Sequence, residues 1–153
     1  MVSIVDLHGR YRVRKKVAER IIRLTLRRLK KPDSTDIEVV FLDDRAMRKM
    51  NRIYKKSDRF TDVLSFRLDG RQFGIRKFLG EILISVDRAK ANSFVFGRPV
   101  TEELVLYMVH GALHLFGYND EKRAERARMS RAENRMLEYL CTKEDLSKVL
   151  TRR

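Results

Sequence analysis

Apolar residues recur along this chain with two periods, and the switches between them mark its elements. Val2–Leu7 alternates weakly, as a short strand does, and His8-Gly9-Arg10 reads as its turn. Val13, Val17, Ile21, Leu24 and Leu29 then recur at helical spacing, which predicts an amphipathic helix over Arg12–Leu29. Lys31-Pro32-Asp33-Ser34 breaks it. Ile37–Leu42 is rich in β-formers and reads as a buried strand. Asp43 or Asp44 can cap a following helix, with Met47, Met50, Ile53 and Tyr54 turned inward. Ser57–Phe60 reads as a loop, Val63–Phe66 as a strand, Arg67–Phe78 as a long turn or hairpin, and Ile82–Val86 as a further strand, with a helix from about Asp87.

Gly97-Arg98-Pro99 interrupts the pattern again. Thr101 is a candidate cap for a helix that is apolar nearly all round to Phe116 and is therefore expected to be buried. Glu102 and Glu103 fall in its first turn, and Gly117 suits a left-handed stop. A charged helix over Glu121–Leu140 places Met129, Ala132, Met136, Leu137 and Leu140 inward, and a short last helix, Lys143–Leu150, follows Thr142. Strands and helices mix without strict alternation, so the pattern predicts an α+β fold. At 153 residues, with seven Gly and two Pro scattered and no repeat or linker, residues 1–153 are expected to form one domain.

With 43% hydrophobic and 37% charged residues, the chain is too apolar to be disordered and too charged to be a membrane protein. Its longest uncharged stretch, Leu104–Tyr118, falls short of the ~20 residues that span a bilayer. The opening MVSIVDLHGR lacks a basic segment before an apolar run, so no secretory signal is expected. Cys141 is the one cysteine, which excludes an internal disulfide and fits a reducing cytoplasm. The net charge of +14 favours polyanions, and nucleic acid is a better match than a membrane surface. The charge is concentrated: Glu19 is the one acid in Arg10–Lys31, whose polar face offers Arg20, Arg23 and Arg27 to phosphates. A second basic face runs over Arg45–Lys56 and ends in Lys55 and Lys56.

Chemistry is concentrated in His110-Gly-Ala-Leu-His114-Leu-Phe-Gly117-Tyr118-Asn119-Asp120. Residues four apart on a helix differ by about 40° in azimuth, so both imidazoles share one face, a turn apart. Gly117 lets the chain turn, and Asp120 can swing back as a third ligand. Two nitrogens and a carboxylate oxygen suit one Zn²⁺ and leave a position open for water. The pair alone also fits two core histidines satisfied by backbone carbonyls. Gly111 stands where the H-E-x-x-H metalloproteases carry their glutamate base, so that proteolytic machinery is absent from the motif.

HGALHLFGY resembles the H-G-x-L-H-L-x-G-Y-D-H signature of the YbeY family of metal-dependent endoribonucleases. Thr61-Asp62-Val63-Leu64-Ser65-Phe66 matches that family's T-D-V-L-S-F. Asn51, Tyr54 and Asp58 match its N-x-x-Y-R-x-x-D, and Leu79-Gly80-Glu81-Ile82 is similar to its L-G-D-I. The blocks come in the family's order over residues 38–140 and are more specific than the histidine pair alone. The departures are Asp120 for the third histidine, Asn119 for the aspartate before it, Lys55 for an arginine, Phe60 for a proline and Glu81 for an aspartate. Asp120 adds negative charge, which makes a bound metal a weaker Lewis acid, and Lys55 lacks the bidentate fork of arginine.

The resemblance implies a zincin-like domain with a small mixed sheet of about four strands and five or six helices. It implies a cytoplasmic endoribonuclease that prefers single strands. The expected role is in ribosomal RNA maturation, at the 3′ end of small-subunit RNA, and in ribosome quality control. RNA and the small ribosomal subunit are the implied partners, with no membrane and no nucleotide cofactor. In that reading His110, His114 and Asp120 hold zinc, His114 and Lys55 act in catalysis, and Lys55 takes the phosphate. Two other readings use the same residues: a ribosome-assembly factor with a structural or lost metal site, and a metal-dependent hydrolase of a small substrate. Elsewhere, His8 reads as a turn histidine, Cys141 as partly buried, and Asp62 and Ser65 as partners of backbone groups. Glu81 is a weak candidate for a general base.

Overall fold

The computed structural model describes residues 1–31, 35–55, 61–69 and 78–153. Its elements in chain order are β1 (Val2–Asp6), β2 (Tyr11–Val13), α1 (Lys15–Arg28), β3 (Thr35–Leu42) and α2 (Asp44–Lys55). They continue as β4 (Val63–Asp69), β5 (Phe78–Ser85), α3 (Val86–Phe96), α4 (Val100–Leu115), α5 (Arg123–Lys143), a 3₁₀ turn at Leu146–Lys148 and β6 (Leu150–Arg152). The four-stranded sheet has the order β1-β3-β5-β4. β1, β3 and β5 are parallel, and β4 lies antiparallel on β5, with Val63 opposite Ile84 and Asp69 opposite Phe78. The fold is α+β, as the pattern predicts, and its four-stranded sheet is mixed, as the resemblance implies.

Alternation along the strands divides the interior. Val39, Phe41, Ile82 and Ile84 join the large core formed with α1, α3, α4 and α5. Their neighbours Val40, Leu42 and Leu83 face the other way and pack with Leu64 against Met47 of α2. α4 is the most enclosed helix, buried at Leu104, Val105, Met108, Val109, Ala112, Leu113 and Leu115. Its approach to the sheet depends on Gly111. A Cβ there would lie 2.5 Å from Ile82 Cγ2 and 3.2 Å from Ser65 Oγ. The glycine that replaces a metalloprotease glutamate is therefore required by helix–sheet contact.

Several local expectations are corrected. Tyr11–Val13 is a strand and α1 starts at Lys15, because β2 pairs with β6. The expected last helix, Lys143–Leu150, is replaced by a 3₁₀ turn capped by Asp145 and by β6, so the end of the chain closes on β2. Ile53 and Tyr54 are exposed: α2 buries Met47 and Asn51, and Tyr54 packs its ring on Phe66 at 4.8 Å between centroids. α4 begins after Pro99, ahead of Thr101. Cys141 is exposed. The loop at Ser57–Phe60 and Lys56 lie outside the described residues, as do residues 70–77 between β4 and β5.

Candidate metal centre

The apolar sides of α4 are held by the core, which fixes the rotation of the helix and turns His110 and His114 the same way. Both remain partly open, their side chains 29% and 27% exposed. Beyond α4, Gly117 takes φ 98°, a left-handed conformation that disfavours side chains. The chain reverses there and brings Asp120 back over the histidines.

Three donor atoms converge. His110 Nε2 and His114 Nε2 are 3.1 Å apart, and Asp120 Oδ2 lies 3.7 Å from the first and 3.3 Å from the second. A triangle with those sides is inscribed in a circle of radius about 2.0 Å, so a point just off its plane reaches all three atoms at the ~2.0–2.2 Å of zinc–nitrogen and zinc–oxygen bonds. Two nitrogen lone pairs aimed at one spot repel unless a proton or a cation lies between them. The donor set therefore fits a divalent metal. Among the described residues it is the one such group of ligands.

Behind His110 stands a residue that sequence reasoning missed. Glu133 Oε1 on α5 is 2.5 Å from His110 Nδ1 and is largely buried. This contact assigns the ring proton to Nδ1, which donates to the carboxylate and leaves the Nε2 lone pair for a metal. Burial works against the charged ring. The hydrogen bond and charge of Glu133, with the charges of Asp120 and Asp62, outweigh it and raise the His110 pKa above its usual value. A signal was present: Glu133 sits four residues from Met129 and from Leu137, an acid on the stripe that α5 buries.

The histidines and Asp120 form one wall of a cleft of about 370 Å³. Lys55, Asp62, Ser65 and Arg67 line it as well. Ser65 Oγ donates to the Gly111 carbonyl at 3.1 Å, tying β4 to α4 beside His110. Asp62 accepts from the Val63 N–H at 3.0 Å. A larger, wide-open hollow of about 710 Å³ at the start of α4 gathers no comparable ligand set.

Other candidates fall elsewhere. Arg20, Arg23 and Arg27 line a separate groove on α1, where Arg20 pairs with Glu144 and Arg23 with Glu19 at 2.9 Å. None of the three is among the residues lining the histidine cleft. Glu81 shares the strand face of Leu83, opposite α4, beside Glu38; burial and that neighbour raise its pKa. His8 is buried and bonded through Nε2 to Asp87 at 2.8 Å, while its Nδ1 accepts from the backbone of Arg10 and Tyr11.

The sequence model described as Endoribonuclease YbeY matches residues 8–141. The chain belongs to the YbeY endoribonuclease family. The match to YbeY takes in both histidines, Asp120 and Glu133 and stops short of β6. An Endoribonuclease YbeY of Wolinella succinogenes is 44% identical over 86 residues, 56% of this chain and 59% of that protein. One from Aquifex aeolicus is 38% identical over 109 residues, covering 71% of this chain and 72% of its own. One from Campylobacter jejuni is 36% identical over 104 residues, 68% of this chain and 75% of that one. A solution structure from Thermotoga maritima shares the fold, with a TM-score of 0.64 at 22% identity over 94% of this chain and 91% of its own.

Proposed function

We propose that this YbeY-family chain is a metal-dependent endoribonuclease that cuts single-stranded RNA at the histidine cleft. The observation that carries this reading is the convergence of His110, His114 and Asp120 at mutual distances of 3.1–3.7 Å beside Lys55 and Arg67. When bound, a zinc ion in such a site supplies Lewis acidity and lowers the pKa of water. The chain's own residues do the rest. His110 and His114 turn their Nε2 atoms to one point, and Glu133 holds the His110 proton at Nδ1. Lys55 and Arg67 offset negative charge that grows on the phosphate oxygens during attack. Lys55 is a point charge where the family pattern has arginine, so it binds phosphate without a fork. Small-subunit ribosomal RNA as substrate, and a reducing cytoplasm as location, follow from the family resemblance and agree with the net charge of +14 and a single exposed thiol. No helix among the described residues is long and apolar enough to cross a membrane.

The test is metal analysis of the purified protein with cleavage of a single-stranded RNA, for wild type and for His114→Ala and Asp120→Ala. The expected result is about one zinc per wild-type chain, with metal and cleavage lost together in His114→Ala. Unchanged zinc in His114→Ala would remove the centre. Full zinc without RNA cleavage in the wild type would leave the assembly-factor reading in its place. Full zinc in Asp120→Ala, with only a lower melting temperature, would reduce Asp120 to a cap on the following helix.

A further inference from the structure

The loop that joins His114 to Asp120 borders more than the cleft. Its middle, Phe116–Asn119, lines a second hollow of about 250 Å³ with Arg128 of α5. Tyr118 carries this hollow into a third, of about 150 Å³, floored by Leu113 and Met136 and flanked by Arg28 of α1 and Arg135 of α5. A basic trough, lined by Phe116 and Tyr118, therefore runs from the metal-binding loop to the end of α1.

Several arginines elsewhere in the chain are held by carboxylates. Arg88 pairs with Asp44, Arg98 with Glu103 and Arg153 with Asp6. Arg128 and Arg135 line the trough, and Arg131 lies between them on the same face of α5; all three are exposed and none forms an ion pair with a carboxylate among the described residues. Glu125 lines the first of these hollows with Arg128, and its carboxylate accepts from the Lys122 N–H at 3.3 Å. Arg28 lies over the Tyr139 ring at 4.9 Å, and Lys31 over Phe116 at 6.0 Å. Like charges gathered without ion-pair partners raise the energy of the free surface, and a polyanion lowers it by releasing counterions. Half-buried aromatics among cations suit a strand whose bases are free to stack.

We propose that this trough is a second anchor for single-stranded RNA, holding the strand where it leaves the cleft past the loop 116–119. The proposal rests on the endoribonuclease reading, since it takes the occupant of the cleft to be RNA. It adds a binding surface on α5 and the end of α1 that the cleft does not need for short substrates.

The experiment compares wild type with the combined variant Arg128→Gln, Arg131→Gln, Arg135→Gln. The probes are labelled oligouridylates of about five and about twenty nucleotides, bracketing a one-module site. All three positions are exposed, so the fold is retained. The combined change Arg128→Lys, Arg131→Lys, Arg135→Lys restores charge as a control. Three lost single-strand contacts lower the salt slope by about 2 units, so binding of the long probe should weaken roughly tenfold or more near 0.1 M salt. The short probe should bind and be cut as by wild type, and the lysine variant should recover most of the slope. An unchanged slope for the long probe in the glutamine variant overturns the trough while leaving the endoribonuclease reading intact. Loss of polyglutamate binding with unchanged RNA binding assigns the surface to an acidic protein and also overturns it. A wild type that binds neither RNA fails both readings.

Discussion

At the scale of single residues, the centre divides into what spacing encodes and what only packing encodes. His110 and His114 are legible because four residues make about one helical turn, and Gly117 marks the reversal that returns Asp120. Glu133 is 23 positions from His110 and reaches it only because α5 packs across α4. No local period announces that contact; an acid on the buried stripe of α5 is its one trace. A carboxylate behind a ligating imidazole fixes the tautomer and raises the basicity of the ligand. Glu133→Ala should therefore weaken zinc binding by about 10–100-fold, and Glu133→Gln should weaken it less, because the amide oxygen still accepts from Nδ1. A competition titration against a zinc chelator reads both. Wild-type affinity in Glu133→Ala would show that Glu133 only fills space.

Among the elements, the longest periodic helix is fully legible in the sequence and the shortest strands are not. The inward stripe of α5 is buried residue for residue as its spacing predicts. β2 and β6 span three residues each, too few to show a period, and each forms only because the other end of the chain lies beside it. Contacts between elements also explain residues that look anomalous alone. Gly111→Ala places a methyl against Ile82, so it should overpack the helix–sheet seam and destabilise the fold by about 1–3 kcal/mol. Chemical unfolding of the two proteins measures this, and equal midpoints would mean that α4 shifts freely. The N-termini of α2 and α3 meet in another such contact. Asp87 takes the Asp44 N–H at 2.8 Å on one oxygen and His8 Nε2 on the other. Burial works to raise its pKa, but those hydrogen bonds and the charges of His8 and Arg10 outweigh burial and lower it. A carboxylate whose folded pKa is depressed adds stability above its unfolded value of about 3.9, and that stability is lost as pH falls through the folded value. Asp87→Asn should thus cost about 1–2 kcal/mol at neutral pH. The difference should shrink as the pH falls through the lowered folded value of Asp87 and the side chain becomes neutral like the amide. A gap between the two unfolding curves that stays constant with pH would show that shape, and not charge, holds this junction.

For the molecule as a whole, the total charge is plain in the composition, but its distribution depends on which carboxylates fold against which arginines. The basic run of α1 predicts a phosphate-binding face, yet in the structure Arg20 and Arg23 already have acidic partners, while Arg128, Arg131 and Arg135 have none among the described residues. Pairing alters what an arginine can add to RNA binding. An arginine held by a carboxylate must break that contact before it neutralises a phosphate, so it releases fewer counterions per contact. Exposed pairs of this kind contribute only ~0–1 kcal/mol to stability, and replacing them leaves the protein folded. The combined variant Arg20→Gln, Arg23→Gln, Arg27→Gln should therefore lower the salt slope of RNA binding by less than the about 2 units that three unpaired contacts would give. The groove these residues line lies apart from the histidine cleft, so cleavage at saturating RNA should stay at the wild-type rate, whereas Lys55→Ala should slow it. Binding isotherms over a range of salt, with single-turnover cleavage for each variant, separate the two effects. A slope that falls for the α1 variant as far as for the α5 variant would place the RNA path along α1, and a slope that does not move would show that the α1 face is only solvated.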